Sequence, residues 1–121
     1  MTTDSKIKDL ERTLMQEVGL SHMQTRVYLL VNTTGRMDAH KISEMLKISH
    51  QEAQSAAESL ISLGGFIEYG KSEYEAMHPR FTAVNMYRRE CERRNVPFVR
   101  NKAVDNIGVV LEESYDNART K

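Results

Sequence analysis

Apolar and polar residues follow two different periods along this chain, and the change of period divides it into parts. From Ile7, apolar residues recur at Leu10, Leu14 and Val18 with charged residues between them, which predicts an amphipathic helix. Gly19 stands where a helix closes in a left-handed cap. Ser21 and Gln24 have capping-box spacing and open a second helix, whose Val27, Tyr28, Leu30 and Val31 mark the centre of the domain. That helix stops at Thr34-Gly35. Asp38 is the expected N-cap of a short third helix, with Ile42, Met45 and Leu46 inward and Ile48 closing it. Ser49 and Glu52 form another capping box and open a fourth helix to Leu63. Its inner positions are Ala53, Ala56 or Ala57, Leu60 and Leu63, small enough at the centre for close approach to a neighbour.

After Gly64-Gly65 the period becomes two. Phe66-Ile67-Glu68-Tyr69, a Gly70-Lys71-Ser72 connection and Glu73 to Met77 read as strand, turn, strand, the only hairpin in the chain. Two short helices with a tight junction, followed at once by a hairpin, are the pattern of a winged helix-turn-helix. The expected fold is therefore mainly α (α+β), a winged helix-turn-helix with one two-stranded wing and additional C-terminal helices. Beyond His78-Pro79, a helix is expected from about Thr82 to Asn95, with Val84, Tyr87 and Cys91 on one stripe. Pro97 breaks it. A last helix, about Asn101 to Ala118, places Val104, Ile107, Leu111, Ser114 and Ala118 at heptad spacing. We therefore divide the chain into a winged helix-turn-helix domain, 1–79, and a C-terminal helical extension, 80–121. An apolar stripe on a terminal helix needs a cover, and a second copy of the chain is the economical choice. Val104, Ile107, Leu111 and Ala118 are the expected dimerisation residues.

Composition narrows the functional classes. The 121 residues are 40% hydrophobic and 28% charged, as a single globular domain with an appendage requires. No apolar run reaches the roughly 18 residues of a membrane span, and the opening MTTDSKIKDLER lacks the apolar core of a signal peptide. Cytoplasmic location without membrane contact is the expectation. Cys91 is the only cysteine, so no internal disulfide is possible, and it reads as a small packing residue. Met15 and Met45 read as core fillers on apolar faces. His22, His40, His50 and His78 are scattered without metal-ligand spacing, and neither a phosphate loop nor a nucleophile motif is present. No metal, cofactor or enzyme activity is expected.

The formal net charge is zero, but its distribution is uneven. Residues 1–78 carry a net −3, residues 79–103 a net +5 and residues 104–121 a net −2. The one strongly basic stretch is Arg80, Arg88, Arg89, Arg93, Arg94, Arg100 and Lys102.

From Gly19 onward the sequence resembles the N-terminal domain of the archaeal sugar-responsive TrmB-type transcriptional regulators. The resemblance lies in GLS-x-x-Q-x-x-VYLLV (Gly19 to Val31), in the spacing of Ile42, Leu46 and Ile48, and in Leu60 to Ile67. It continues through Tyr74-x-Ala76 and Pro79, and covers roughly residues 7–90. It implies a DNA-binding winged helix, commonly dimeric through flanking helices. Members often add a sugar-sensing domain. This chain is too short for one, so no small-molecule effector is expected.

If the fourth helix enters a major groove, Ser49, His50, Gln51, Gln54 and Ser55 near its start meet base edges or phosphate, and the glutamines suit adenine. Lys71 at the wing tip, with Arg36 and Lys41, would touch the backbone of double-stranded DNA. Arg80, Arg88 and Arg89 are further phosphate candidates, the alternative for the basic stretch being ion pairs with the acidic N-terminal half or with Glu112 and Glu113 of a partner chain. Each has a plainer reading as a solvated polar residue. The segment 38–65 also has two basic residues (Lys41, Lys47) against four acidic ones (Asp38, Glu44, Glu52, Glu58). Phosphate neutralisation supplies most non-specific DNA affinity, so this balance keeps a second reading open. That reading is a winged-helix protein–protein interaction module in a transcription or chromosome-associated assembly.

Overall fold

A computed structural model describes residues 2–120; Met1 and Lys121, the outermost residues of the two segments drawn above, lie outside it. Helix α1 spans Thr2–Gln16 and buries Leu10 and Leu14. The chain reverses at Gly19, whose φ of +83° suits glycine. A side chain there would also meet the Glu90 carboxylate at 2.5 Å. Helix α2, His22–Thr34, starts as its capping box predicts: the Gln24 amide donates to Ser21 Oγ at 3.1 Å and the Ser21 amide to Gln24 Oε1 at 2.8 Å. Tyr28 lies at its buried centre, stacked on Phe66 with ring centroids 6.1 Å apart.

Helix α3, Ala39–Leu46, is capped by Asp38, which accepts from the Lys41 amide at 2.8 Å. Lys47 takes a left-handed φ of 58°, and after two more residues α4 runs His50–Leu63. Ser49 and Glu52 make the second capping box, both bonds at 3.0 Å. The buried positions of α4 are Ala53, Ala56, Ala57 and Leu60, so α3 and α4 approach over methyl groups.

The sheet has one strand more than the sequence pattern predicts. Strands β2 (Phe66–Tyr69) and β3 (Glu73–Ala76) form the hairpin, with Phe66 opposite Ala76 and Tyr69 opposite Glu73. A two-residue strand β1, Met37–Asp38, pairs with the other edge of β3, giving the order β1-β3-β2. Two residues carry no periodicity, so β1 leaves no trace in the pattern.

Helix α5 begins at Pro79, earlier than expected, because proline at the first helical position lacks only an N–H that would be unpaired there anyway. Its inward face is Thr82, Ala83, Met86, Glu90 and Cys91. The expected stripe was rotated: Val84 and Tyr87 are half-buried. Helix α6, Lys102–Arg119, starts from Asn101 as expected.

Residues of α1 through α6 and of all three strands share one core. The boundary drawn at residue 79 therefore has no counterpart in the packing, since α5 and α6 bury their apolar faces on the segment before them. The largest departure from expectation is the stripe assigned to dimerisation. Val104, Ile107 and Leu111 are buried inside the single chain, where α6 packs on α5, α2 and α1, while Ala118 is half-buried. The stripe does need a cover, and the chain's own core provides it. Gly108 makes this possible: a Cβ there would lie 2.7 Å from the Arg80 Cα, so the two helix backbones nearly touch. Met15 and Met45, expected inside, are 40% and 43% exposed. No helix among the described residues is long and apolar enough to cross a membrane.

Candidate nucleic-acid interface

The N-terminal half of α4 presents two faces. His50 and Gln54 line an open cleft of about 240 Å³ between α4, the start of α3 and the wing, together with Lys71, Ser72 and Tyr74. Ser49, Gln51 and Ser55 face the other way, into a groove shared with Ser21, Met23 and Gln24 at the start of α2. Gln24 closes the back of this groove by donating to Ser59 Oγ at 2.9 Å. The predicted residues of α4 thus form one exposed ridge, with His50 and Gln54 on its wing side and Gln51 and Ser55 on the α2 side. Because α2 and α4 both open onto the second groove, two helix N-termini lie beside the same ridge, each with its N-cap and N3 amides held by its own capping box.

Three carboxylates, Asp38, Glu58 and Glu68, also line the wing-side cleft, against one lysine. Gln54 Nε2 donates to Glu58 Oε2 at 3.2 Å, which orients its amide along the ridge. Glu52 is engaged with the Ser49 amide. Burial raises the Tyr74 phenol above its ordinary value, and the Glu58 and Glu68 charges add to the effect. Glu58 and Glu68 are cleft residues that the sequence reading left out of the site; their acidity was visible, but not that the wing would fold back across α4.

The basic residues divide by what holds them. Arg36 lies 3.9 Å over the Tyr69 ring and 3.7 Å from Glu73, which fixes it on the wing face of the sheet. Lys41 and Lys71 are exposed. Arg80 donates to Glu112 at 2.6 Å, and this bond holds the Glu112 carboxyl below its ordinary value. Arg93 and Arg94 both pair with the mostly buried Glu90, and Arg94 also caps α1 through the Gln16 carbonyl at 2.9 Å. Arg100 pairs with Asp105 at 2.9 Å. Four of the seven cations in the basic stretch are thus ion-paired within the chain. Of the three phosphate candidates, Arg88 bonds Asn85 Oδ1 at 2.9 Å and leans over Phe98, and Arg89 lies beside Gly64 at the C-terminal end of α4. Neither is near the N-terminal ridge. Only charge counting linked this stretch to the site, and the Glu112 expected to serve it from a partner chain instead pairs with Arg80 of the same chain.

The Cys91 thiol is free and buried. Among the described residues, no group of three or more His, Cys, Asp or Glu side chains is placed to hold a metal ion.

Comparison with known proteins bears on the whole of this arrangement. The family model described as sugar-specific transcriptional regulator TrmB matches residues 14–86, which run from the end of α1 to the middle of α5. No curated protein and no solved structure is similar enough to match.

Proposed function

The chain belongs to the TrmB family of transcriptional regulators, matched over its N-terminal DNA-binding region, and from that premise we propose that it binds duplex DNA through α4 and the wing. The observation that carries the proposal is the ridge of His50, Gln51, Gln54 and Ser55 between two concave surfaces, with Lys71 at the far rim of one and two helix N-termini at the other. In a major groove this ridge reads bases with amides and a hydroxyl, Gln51 and Gln54 being suited to adenine. Ser49, Lys41 and Lys71 then meet phosphates. Fluorescence anisotropy with random and selected duplexes tests the reading. Binding must weaken as salt rises, and a flat titration at low salt overturns it.

The acidic lining of the cleft favours a second reading, a winged-helix module that grips another protein of a transcription or chromosome-associated assembly. Charge reversal over residues 50–58 would then abolish a protein complex and leave DNA binding absent throughout.

We further propose that the regulator acts as a homodimer, through the outer face of α5 and α6 in place of the buried stripe. Phe81 and Val109 are 65% and 54% exposed there. Lys102, Val109, Glu113 and Asp116 share one line along α6, basic at one end and acidic at the other. A two-fold axis through Val109 sets the basic end of each copy against the acidic end of its mate. Light scattering should give about twice the chain mass for the native protein, and the monomer mass for Val109→Asp. A native chain at the monomer mass rejects this arrangement.

A further inference from the structure

Glu112, Tyr115 and Arg119 stand on one face of α6, at helical spacings of three and four. They meet the exit of the wing in reverse chain order. Glu112 bonds Arg80 at the start of α5. The Tyr115 hydroxyl donates to the carbonyl of Ala76, the last residue of β3, at 2.9 Å. The Tyr115 ring lies 5.0 Å from that of His78, the N-cap of α5. Arg119 pairs with Glu75 of β3. The same guanidinium donates to the Asn32 and Val31 carbonyls at the end of α2, at 3.0 and 3.1 Å, and lies 3.8 Å over the Tyr115 ring.

β3 is the central strand of the sheet, so whatever grips it governs the wing as a whole. The Arg119 and Glu75 side chains are only 18% and 19% exposed. A pair so far withdrawn from water holds firmly, because separating it leaves two poorly solvated charges. A guanidinium can address α2, β3 and Tyr115 at once through its planar set of donors; an ammonium cannot.

We propose that the last two turns of α6 position the wing against α4, with Arg119 and Tyr115 as positioning residues that set duplex affinity without touching DNA. The consequence for DNA rests on the reading given above; the clamp itself rests on the geometry alone.

The test uses the full chain carrying Arg119→Met, Arg119→Lys or Tyr115→Phe, read by residue-level hydrogen exchange and by anisotropy on a selected duplex. Tyr115→Phe removes a single hydroxyl and keeps the ring, so it preserves the fold should Arg119→Met fail to fold. Wing amides 67–76 are expected to exchange at least about tenfold faster, while amides at the centres of α2 and α4 keep their rates. Duplex affinity should fall about three- to tenfold and the salt slope by about one, as the Lys71 contact is lost. Arg119→Lys should fall between native and Arg119→Met. Unchanged wing exchange in Arg119→Met and Tyr115→Phe overturns the clamp. A loosened wing with unchanged affinity and slope overturns its part in binding. A native chain that binds no duplex overturns the DNA reading and that part with it, while the exchange rates still decide the clamp.

Discussion

The Tyr28 and Thr82 hydroxyls lie 2.6 Å apart, one buried bond joining the middle of α2 to the start of α5. Thr82 is 2% exposed, so water cannot replace a lost partner. Tyr28→Phe is therefore expected to destabilise the chain by about 1–3 kcal/mol, the cost of leaving a buried hydroxyl unpaired. Adding Thr82→Val should recover part of the loss. Urea titrations check this, with the midpoint falling and the slope unchanged.

Burial also raises the Tyr28 phenol far above its ordinary value, and burial raises Tyr115 as well. A folded-state value above the unfolded one means that folding favours the neutral phenol. This stability is fully present below the ordinary tyrosine pKa of about 10 and is lost as pH rises through it toward the folded value. The urea midpoint should fall above that pH, and less steeply in Tyr28→Phe. Glu112 has the opposite sign: its lowered carboxyl favours folding above its unfolded value and ceases to do so as pH drops through the folded one.

Gly108→Ala tests how closely α5 and α6 approach. Alanine in a helix is ordinarily favoured over glycine by roughly 0.5–1 kcal/mol. Here the new methyl meets Arg80 backbone at 2.7 Å, and overpacking costs about 1–3 kcal/mol. The clash should win, lowering the melting temperature. A rise would mean that the helices are farther apart than described.

On the ridge, two substitutions should fail differently. Lys71→Ala should weaken all duplexes alike and reduce the salt slope by about one. Gln54→Ala should relax preference at one base pair, by about 1–3 kcal/mol of discrimination. Competition titrations with single-base variants separate the two.

Much of this fold is legible in the sequence wherever a local rule is decisive. Ser21, Asp38 and Ser49 all cap the helices they were expected to cap, because capping depends on residues a few positions apart. Facing is harder to read. Met45 has an apolar side chain and an exposed position, while Glu90 is charged and nearly buried, since Arg93 and Arg94 neutralise it from the same helix. The α6 stripe was legible as apolar, but its partner was not, because two distant elements of one chain and two copies of that chain leave the same pattern. The ridge of α4 follows from helical spacing alone. The wing folding back to bring Lys71 and Glu68 to Gln54 does not, because it depends on β3 being gripped from both sides.

The internal pairing of Arg80, Arg93, Arg94 and Arg100 has a kinetic consequence. Glu112, Glu90 and Asp105 offset three of these four charges a few ångströms away and leave mainly short-range dipoles, and the chain as a whole carries no net charge. No broad positive field draws the molecule toward a polyanion from a distance. Its encounters with DNA should proceed by unassisted diffusion, at roughly 10⁵–10⁶ M⁻¹s⁻¹ and with little response of the forward rate to salt. Selectivity would then reside in how long the molecule stays on a site, not in how fast it arrives.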